Sequence, residues 1–321
     1  MKYLFKIIVN PLSLLEALQE TFTRSFNFFT TKFTSVLANI SLDLRNHLST
    51  IIVLFGLALT TTSCTKSQYL REVIADEHAF KHNFQKKIIL GGDFYLTTYQ
   101  KLNPNFRTYT FYIEGDGDAF VGKYIISDNP TPGKLMLFRL AALDDAPNLV
   151  YIARPCQYTP MSMNQSCIKS YWTDRRMSEE VVDSIDRVIN KIAGNNPVRL
   201  IGFSGGGGVA VLIAARNPNV KYLITVAGNL DHEAFNRYHN VRPMIGSLNP
   251  IDYAEKINHI PQLHVSGAKD LVVPAFIADD YIKASKNDRC IKREIITDAT
   301  HTLNWEKSWE YILNIPLTCQ K

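Results

Sequence analysis

Between residues 198 and 216 an apolar, partly β-branched run (Val198, Leu200, Ile201, Phe203) stops at Ser204, four glycines follow, and Val209-Ala-Val-Leu-Ile-Ala-Ala215 then reads as a buried helix. A serine between strand and helix, with Gly202 and Gly206 two residues to either side, has the pattern of a nucleophile elbow. Such a serine sits on a very sharp turn, and a side chain two positions away would strike the strand or the helix. The turn also sets the Gly205 N–H, and the first N–H groups of the helix, beside the hydroxyl. Two blander readings compete. The glycines could simply let a helix pack closely on a sheet, with Ser204 as its cap. Alternatively, Gly205, Gly207 and Ala210 match the dinucleotide fingerprint G-x-G-x-x-G/A, which wants an acid at the tip of the next strand. That strand, around Tyr222–Ala227, runs into Gly228-Asn229 with no acid, and no Lys-Ser/Thr pair follows the glycines to make a phosphate loop.

The 321 residues, 46% of them hydrophobic, suffice for one large domain with a leader. The net charge of +5 is spread out, without a basic stripe interleaved with aromatics, which argues against a nucleic-acid partner. The five cysteines contain no C-x-x-C pair and no zinc spacing, so no metal site is expected. Cys64 stands alone behind an apolar run. The other four divide into two local pairs, Cys156 with Cys167 and Cys290 with Cys319, which suits disulfides in a chain that leaves the cytoplasm.

Residues 1–64 read as a leader. Leu44-Arg-Asn-His supplies a basic flank, Ile51–Leu59 a short apolar core, and Thr60-Thr-Thr-Ser precedes Cys64. The core is short for a membrane-spanning helix, which needs about 20 residues. The stretch resembles a bacterial lipoprotein signal with Cys64 as the lipidated residue, although Thr61 stands where that signal carries leucine. The rival reading is an uncleaved apolar anchor. Both place the remaining chain in the cell envelope, held at a membrane.

Residues 65–92 are polar and read as a linker and a helix (75–84), and residues 93–321 as the main domain. Strands are expected at 94–99, 107–113, 149–153, 198–203, 222–227, 262–266 and 293–296, and helices at 132–143, 179–193, 209–215, 274–284 and 305–315. Residues 154–178 and 229–250 read as irregular. Strands alternating with helices predict an α/β fold, a mostly parallel sheet covered on both faces.

A serine hydroxyl becomes a useful nucleophile only when a base takes its proton and a third group orients that base. The elbow architecture expects serine, acid and histidine in that chain order, each just past a strand. Asp270, in Gly267-Ala-Lys-Asp-Leu-Val-Val-Pro274, and His301, in Asp298-Ala-Thr-His301, occupy such positions. Asp231 and His232 are the rival acid and base after the preceding strand.

These three motifs together resemble the α/β-hydrolase superfamily over residues 95–318, and Ala227–His232 with Gly246–Pro250 is similar to uncharacterised bacterial hydrolases of the cell envelope. The resemblance implies a serine hydrolase that cleaves an ester, thioester or amide of a small-molecule or peptide acyl substrate. Ser204 would be the nucleophile, His301 the base and Asp270 its orienter, with no metal or cofactor. It also implies a second oxyanion donor in the loop Gly115-Asp116-Gly117, the N–H of Asp116 or Gly117, alongside that of Gly205. A non-catalytic envelope lipoprotein that keeps the fold and an NAD-binding oxidoreductase are the competing functions.

Overall fold

The computed structural model describes residues 69–122 and 124–320. The leader expected over 1–64, Cys64 included, lies outside them.

The first described element is a helix running to residue 81 (α1, 69–81). Strands follow at Gln85–Leu90 (β1), Tyr95–Lys101 (β2) and Tyr109–Ile113 (β3), then a hairpin of Phe120–Val121 (β4) and Ile125–Ile126 (β5). Helix Met136–Ala142 (α2) and strand Leu149–Ile152 (β6) come next, then helix Glu179–Ala193 (α3), strand Val198–Phe203 (β7) and helix Gly205–Ala214 (α4). The chain ends with Val220–Val226 (β8), His232–His239 (α5), Gln262–Gly267 (β9), Phe276–Ala284 (α6), Ile291–Ile296 (β10) and Glu306–Asn314 (α7).

The main sheet has eight strands in the order β1-β2-β6-β3-β7-β8-β9-β10. β2 runs antiparallel to both β1 and β6, and from β6 to β10 every neighbour is parallel. Each parallel crossover needs a helix, so helices cover both faces and the central strands are near-continuous apolar runs. One core layer packs α3, α4 and α6 against the sheet through Val181, Ile185, Val211 and Ile277; the other packs α1, α2 and α7 through Ala75, Phe138, Trp309 and Ile312. Trp305 and Trp309 are fully buried and pin α7, and truncating either would cost about 3–5 kcal/mol.

α3 shows how directly sequence dictates an element. Val181, Val182, Ile185, Val188 and Ile189 are buried at helical spacing, Glu179 and Glu180 face the positive end of the dipole, and Gly194 at φ +58 ends the helix.

Several expectations need correction. Of the segment 65–92, the described part from 69 belongs to the domain: β1 pairs along its whole length with β2, and Ala75, Ala79 and Phe84 are buried in the core. The compact unit accordingly begins at Ser67. The helix there stops at 81, because Asn83 takes φ +61 and Phe84 turns extended toward β1. The region 229–250 is not wholly irregular, since it contains α5, capped by Asp231. Among the described residues no helix is long and apolar enough to cross a membrane.

Two disulfides join Cys156 to Cys167 and Cys290 to Cys319. The first closes the loop after β6; the second ties the segment entering β10 to the C-terminal tail, beside a hydrogen bond from Gln320 N–H to Arg289 O of 2.7 Å. This bonding pattern fits an exported protein.

Candidate active site

The carboxyl ends of parallel strands are where an α/β sheet collects its functional loops. Ser204 follows β7 directly and takes φ +51, ψ −123, a conformation that non-glycine residues adopt only under surrounding constraint. That constraint is tight packing of strand on helix. A Cβ on Gly202 would lie 2.3 Å from Gly206 O, and one on Gly206 would lie 2.3 Å from Ile113 O. Backbone bonds lock the turn: Gly207 N–H and Asn229 N–H both donate to Ser204 O, at 3.0 and 2.9 Å.

Ser204 Oγ lies 3.1 Å from His301 Nε2, and His301 Nδ1 lies 2.9 Å from Asp270 Oδ2. The Asp270 side chain is fully buried, whereas His301 keeps an open edge. Trp305 Nε1 donates to His301 O at 3.1 Å, so the buried indole that anchors α7 also fixes the histidine loop. The loops of Asp270 and His301 meet closely, and Lys269 N–H donates to Ala299 O at 3.0 Å. The three residues singled out in the sequence are therefore brought together in a hydrogen-bonded chain.

The rivals are placed elsewhere. Asp231 caps α5, its Oδ1 accepting the N–H of Glu233 and Ala234 and the Asn249 amide at 3.0, 3.1 and 2.9 Å. His232 is buried at the start of the same helix. Desolvation lowers its pKa, and the Ser247 backbone opposes this.

Gly115 stands against the elbow: a Cβ there would lie 3.2 Å from Ser204 Cβ. The N–H groups of Asp116 and Gly117, next in the loop, are not used in its own hydrogen bonds among the described residues. The Asp116 carboxylate packs on the Gly205 backbone, where a Cβ on Gly205 would fall 2.0 Å from Asp116 Oδ1. Two arginines hold that carboxylate. Arg176 Nη1 lies 2.8 Å from Oδ2 and Arg154 Nη1 lies 3.5 Å from Oδ1. Arg154 is buried, which lowers its pKa, with Asp116 raising it again. Arg154 also donates to Arg176 O. The sequence signals neither arginine, since each lies far along the chain from Asp116.

Glu114, just before this loop, is also buried. Desolvation raises its pKa, while the Tyr151 hydroxyl (2.6 Å) and the Gly115 N–H (2.8 Å) favour its charged form.

Arg176 Nε contacts Met244 Sδ, and Met244 with His232, Ile245, Ser247 and Tyr253 lines a cavity of about 620 Å³. A larger cavity of about 910 Å³, lined by Thr110, Asp144 and Arg199, opens at the amino ends of the central strands, opposite the Ser204 cluster, and shares no residue with it. Among the described residues no cluster of His, Cys, Asp and Glu could hold a metal.

No curated protein matches the chain in sequence. Among solved structures it is similar to a bacterial membrane phospholipase A (15% identity, TM-score 0.51, 84% of this chain and 97% of that one). It is likewise similar to the Pyrococcus furiosus esterase Pf2001 (13%, 0.52, 71% and 90%). An acylaminoacyl peptidase is a third (12%, 0.51, 74% and 42%), of which the chain spans well under half. At such identities the likeness establishes the α/β-hydrolase fold. The family model for serine hydrolases (FSH1) matches residues 142–308, just over half of the chain, a span that includes Ser204, Asp270 and His301. The chain is an enzyme of the FSH1 serine hydrolase family.

Proposed function

We propose that this enzyme hydrolyses a carboxylic ester, thioester or amide through an acyl-enzyme on Ser204. The observation that carries this reading is the hydrogen-bonded chain from Ser204 Oγ through His301 to buried Asp270, at 3.1 and 2.9 Å. His301 takes the hydroxyl proton as Oγ attacks the carbonyl carbon, and returns it to the leaving group as the tetrahedral intermediate collapses. Asp270 holds the imidazole with Nδ1 protonated, leaving Nε2 free to accept. The oxyanion is bound by the Gly205 N–H, at the positive end of α4, with that of Asp116 or Gly117. Water then repeats the sequence on the acyl-enzyme.

The structural neighbours named above are a phospholipase, an esterase and an acylaminoacyl peptidase, which supports acyl transfer without choosing a bond. A fluorophosphonate probe is expected to label Ser204, and Ser204→Ala to lose both labelling and p-nitrophenyl ester hydrolysis by 10⁴-fold or more. Labelling of the alanine variant at the parental rate would refute the assignment.

A further inference from the structure

We infer that the face carrying the β4–β5 hairpin docks on a lipid bilayer and sets the mouth of the Ser204 site against it. The docking stands apart from the hydrolase reading; only its consequence for substrate rests on that reading.

The hairpin is apolar on its outside. Val121 and Ile125 pair across it and are 62% and 67% exposed, and Phe120, Tyr124 and Ile126 beside them are exposed as well. Two strands of two residues cannot hold themselves in water, and contiguous exposed apolar surface of this kind marks an interaction site. The rest of the molecule grips the hairpin's base. Ser127 N–H donates to Ala119 O at 3.0 Å, and the Trp172 indole donates to Ser127 O at 3.0 Å. The hairpin begins five residues after Gly115, which touches Ser204, so it is a fixed projection from the rim of the site.

A second apolar stripe lies on α1. Tyr69, Leu70, Val73 and Ile74 of α1 share one exposed helical face, opposite the buried Ala75 and Ala79. Arg71 joins the two regions, pairing with Asp118 at 3.0 Å and donating to Thr131 O at 2.5 Å. Exposed apolar residues recur on other loops at the same end of the sheet, at Ile168, Ile245, Leu271 and Leu303.

The chain itself says what covers this face. It enters α1 from the apolar run Ile51–Leu59, and the nine residues between Leu59 and Tyr69 span at most about 35 Å. A bilayer holding that run, or an acyl chain on Cys64, therefore confines the hairpin face to its own surface at high effective concentration. A soluble partner has no such relation to the leader. The exposed apolar side chains described on this face suit insertion into the acyl boundary. The substrate class that follows is an ester or amide of a bilayer lipid, drawn directly from the membrane.

The test uses the full chain with Cys64→Ser, in vesicles of phosphatidylethanolamine and phosphatidylglycerol. An environment-sensitive fluorophore at Ile125→Cys is expected to be quenched at least twofold by brominated lipids. One at Phe106→Cys, before β3 at the opposite end of the strands, is expected to be unaffected. Equal quenching at the two sites, or none at 125, overturns the inference, and the second result is also the signature of a hairpin covered by residues 1–66 or by another copy. In the enzyme, Val121→Asp with Ile125→Asp is expected to slow hydrolysis of a vesicle-embedded long-chain ester at least tenfold, with soluble p-nitrophenyl acetate within twofold of parent. Equal loss on both substrates would mean that the hairpin merely supports the pocket. Failure of the parent to cleave either ester would refute the hydrolase reading while leaving the quenching result to decide the docking.

Discussion

Asp270 divides its carboxylate between two jobs. Oδ2 lies 2.9 Å from His301 Nδ1, while Oδ1 accepts the N–H groups of Val272 and Val273 at 2.8 and 2.9 Å. The backbone bonds fix the plane of the carboxylate, so the oxygen facing His301 has one available direction. This is how a short loop, Lys269-Asp-Leu-Val-Val-Pro274, orients a ring carried by the loop after a different strand, β10.

Asp270→Asn is therefore expected to cost on the order of 10⁴-fold in kcat, because the amide NH₂ turned toward Nδ1 would favour the wrong imidazole tautomer. Asp231→Asn is expected to change kcat/KM less than threefold. Asparagine caps a helix as well as aspartate does, and Asp231 serves α5 rather than the histidine. Steady-state kinetics on one soluble ester ranks the two, and the reverse order would move the acid to the earlier strand.

The Asp116 carboxylate packs against the Gly205 backbone, close to where an oxyanion bound by the Gly205 N–H would gather negative charge. Arg154 and Arg176 neutralise it. Arg176→Ala is expected to lower kcat about tenfold or more, since a less compensated carboxylate then opposes the oxyanion. Adding Asp116→Asn should recover most of that loss by removing the charge. A double variant as slow as Arg176→Ala would show that the arginine acts by other means. Asp116→Asn alone removes the larger of two counter-charges on buried Arg154, the other being Glu114, and should destabilise the fold by roughly 3 kcal/mol in urea titration. Asp298→Asn, which breaks only the exposed pair with Lys269, should leave the midpoint unmoved.

The disulfides are expected to carry a measurable share of stability. In the chain-entropy model, bridges separated by 11 and 29 residues contribute about 3 and about 3.5 kcal/mol. Reductant should lower the denaturation midpoint, and Cys156→Ser with Cys167→Ser should lower it without touching the Ser204 turn. Non-reduced peptide mapping checks the pairing, and free thiols at all four positions would remove it.

What the sequence made legible follows from how strongly physics ties chemistry to position. The elbow glycines are demanded by backbone oxygens that would lie 2.3 Å from an added Cβ, and serine, acid and histidine are carried by loops at one end of the parallel strands. The cysteine pairs are local, so counting alone suggests them. What stayed hidden depends on contacts across long separations. Arg154 and Arg176 meet Asp116 from 38 and 60 residues away, with no periodicity to mark them. β1, Gln85-Lys-Lys-Ile-Ile-Leu90, is an edge strand with a mostly exposed polar start, so it lacks the apolar run that betrays an inner strand. α5 escaped because its polar sequence, His232-Glu-Ala-Phe-Asn-Arg-Tyr-His239, buries only three side chains. The hairpin escaped because its strands are two residues long.

His264 gives the fold a pH dependence with a definite sign. It lies fully buried in β9, with Nδ1 2.8 Å from Thr225 Oγ1 and Nε2 3.2 Å from Gln262 Oε1. Desolvation, with the nearby Arg293 charge adding to it, pushes its pKa down to about 3. At pH 7 the residue is neutral whether the chain is folded or not. As pH falls through 6.5 the unfolded chain takes up a proton that the folded chain refuses, so the native state loses stability down to about pH 3. The slope is about 1.4 kcal/mol per pH unit, or roughly 2 kcal/mol between pH 6.5 and 5. His78 and His232, also lowered by burial, act in the same direction, so the parental curve alone does not isolate the effect. His264→Gln keeps a hydrogen-bonding group in the strand but cannot titrate. Its unfolding free energy is expected to fall less steeply than the parent's between pH 6.5 and 5, the two curves converging as pH drops. Parallel curves over that range would show that His264 is protonated in the folded enzyme.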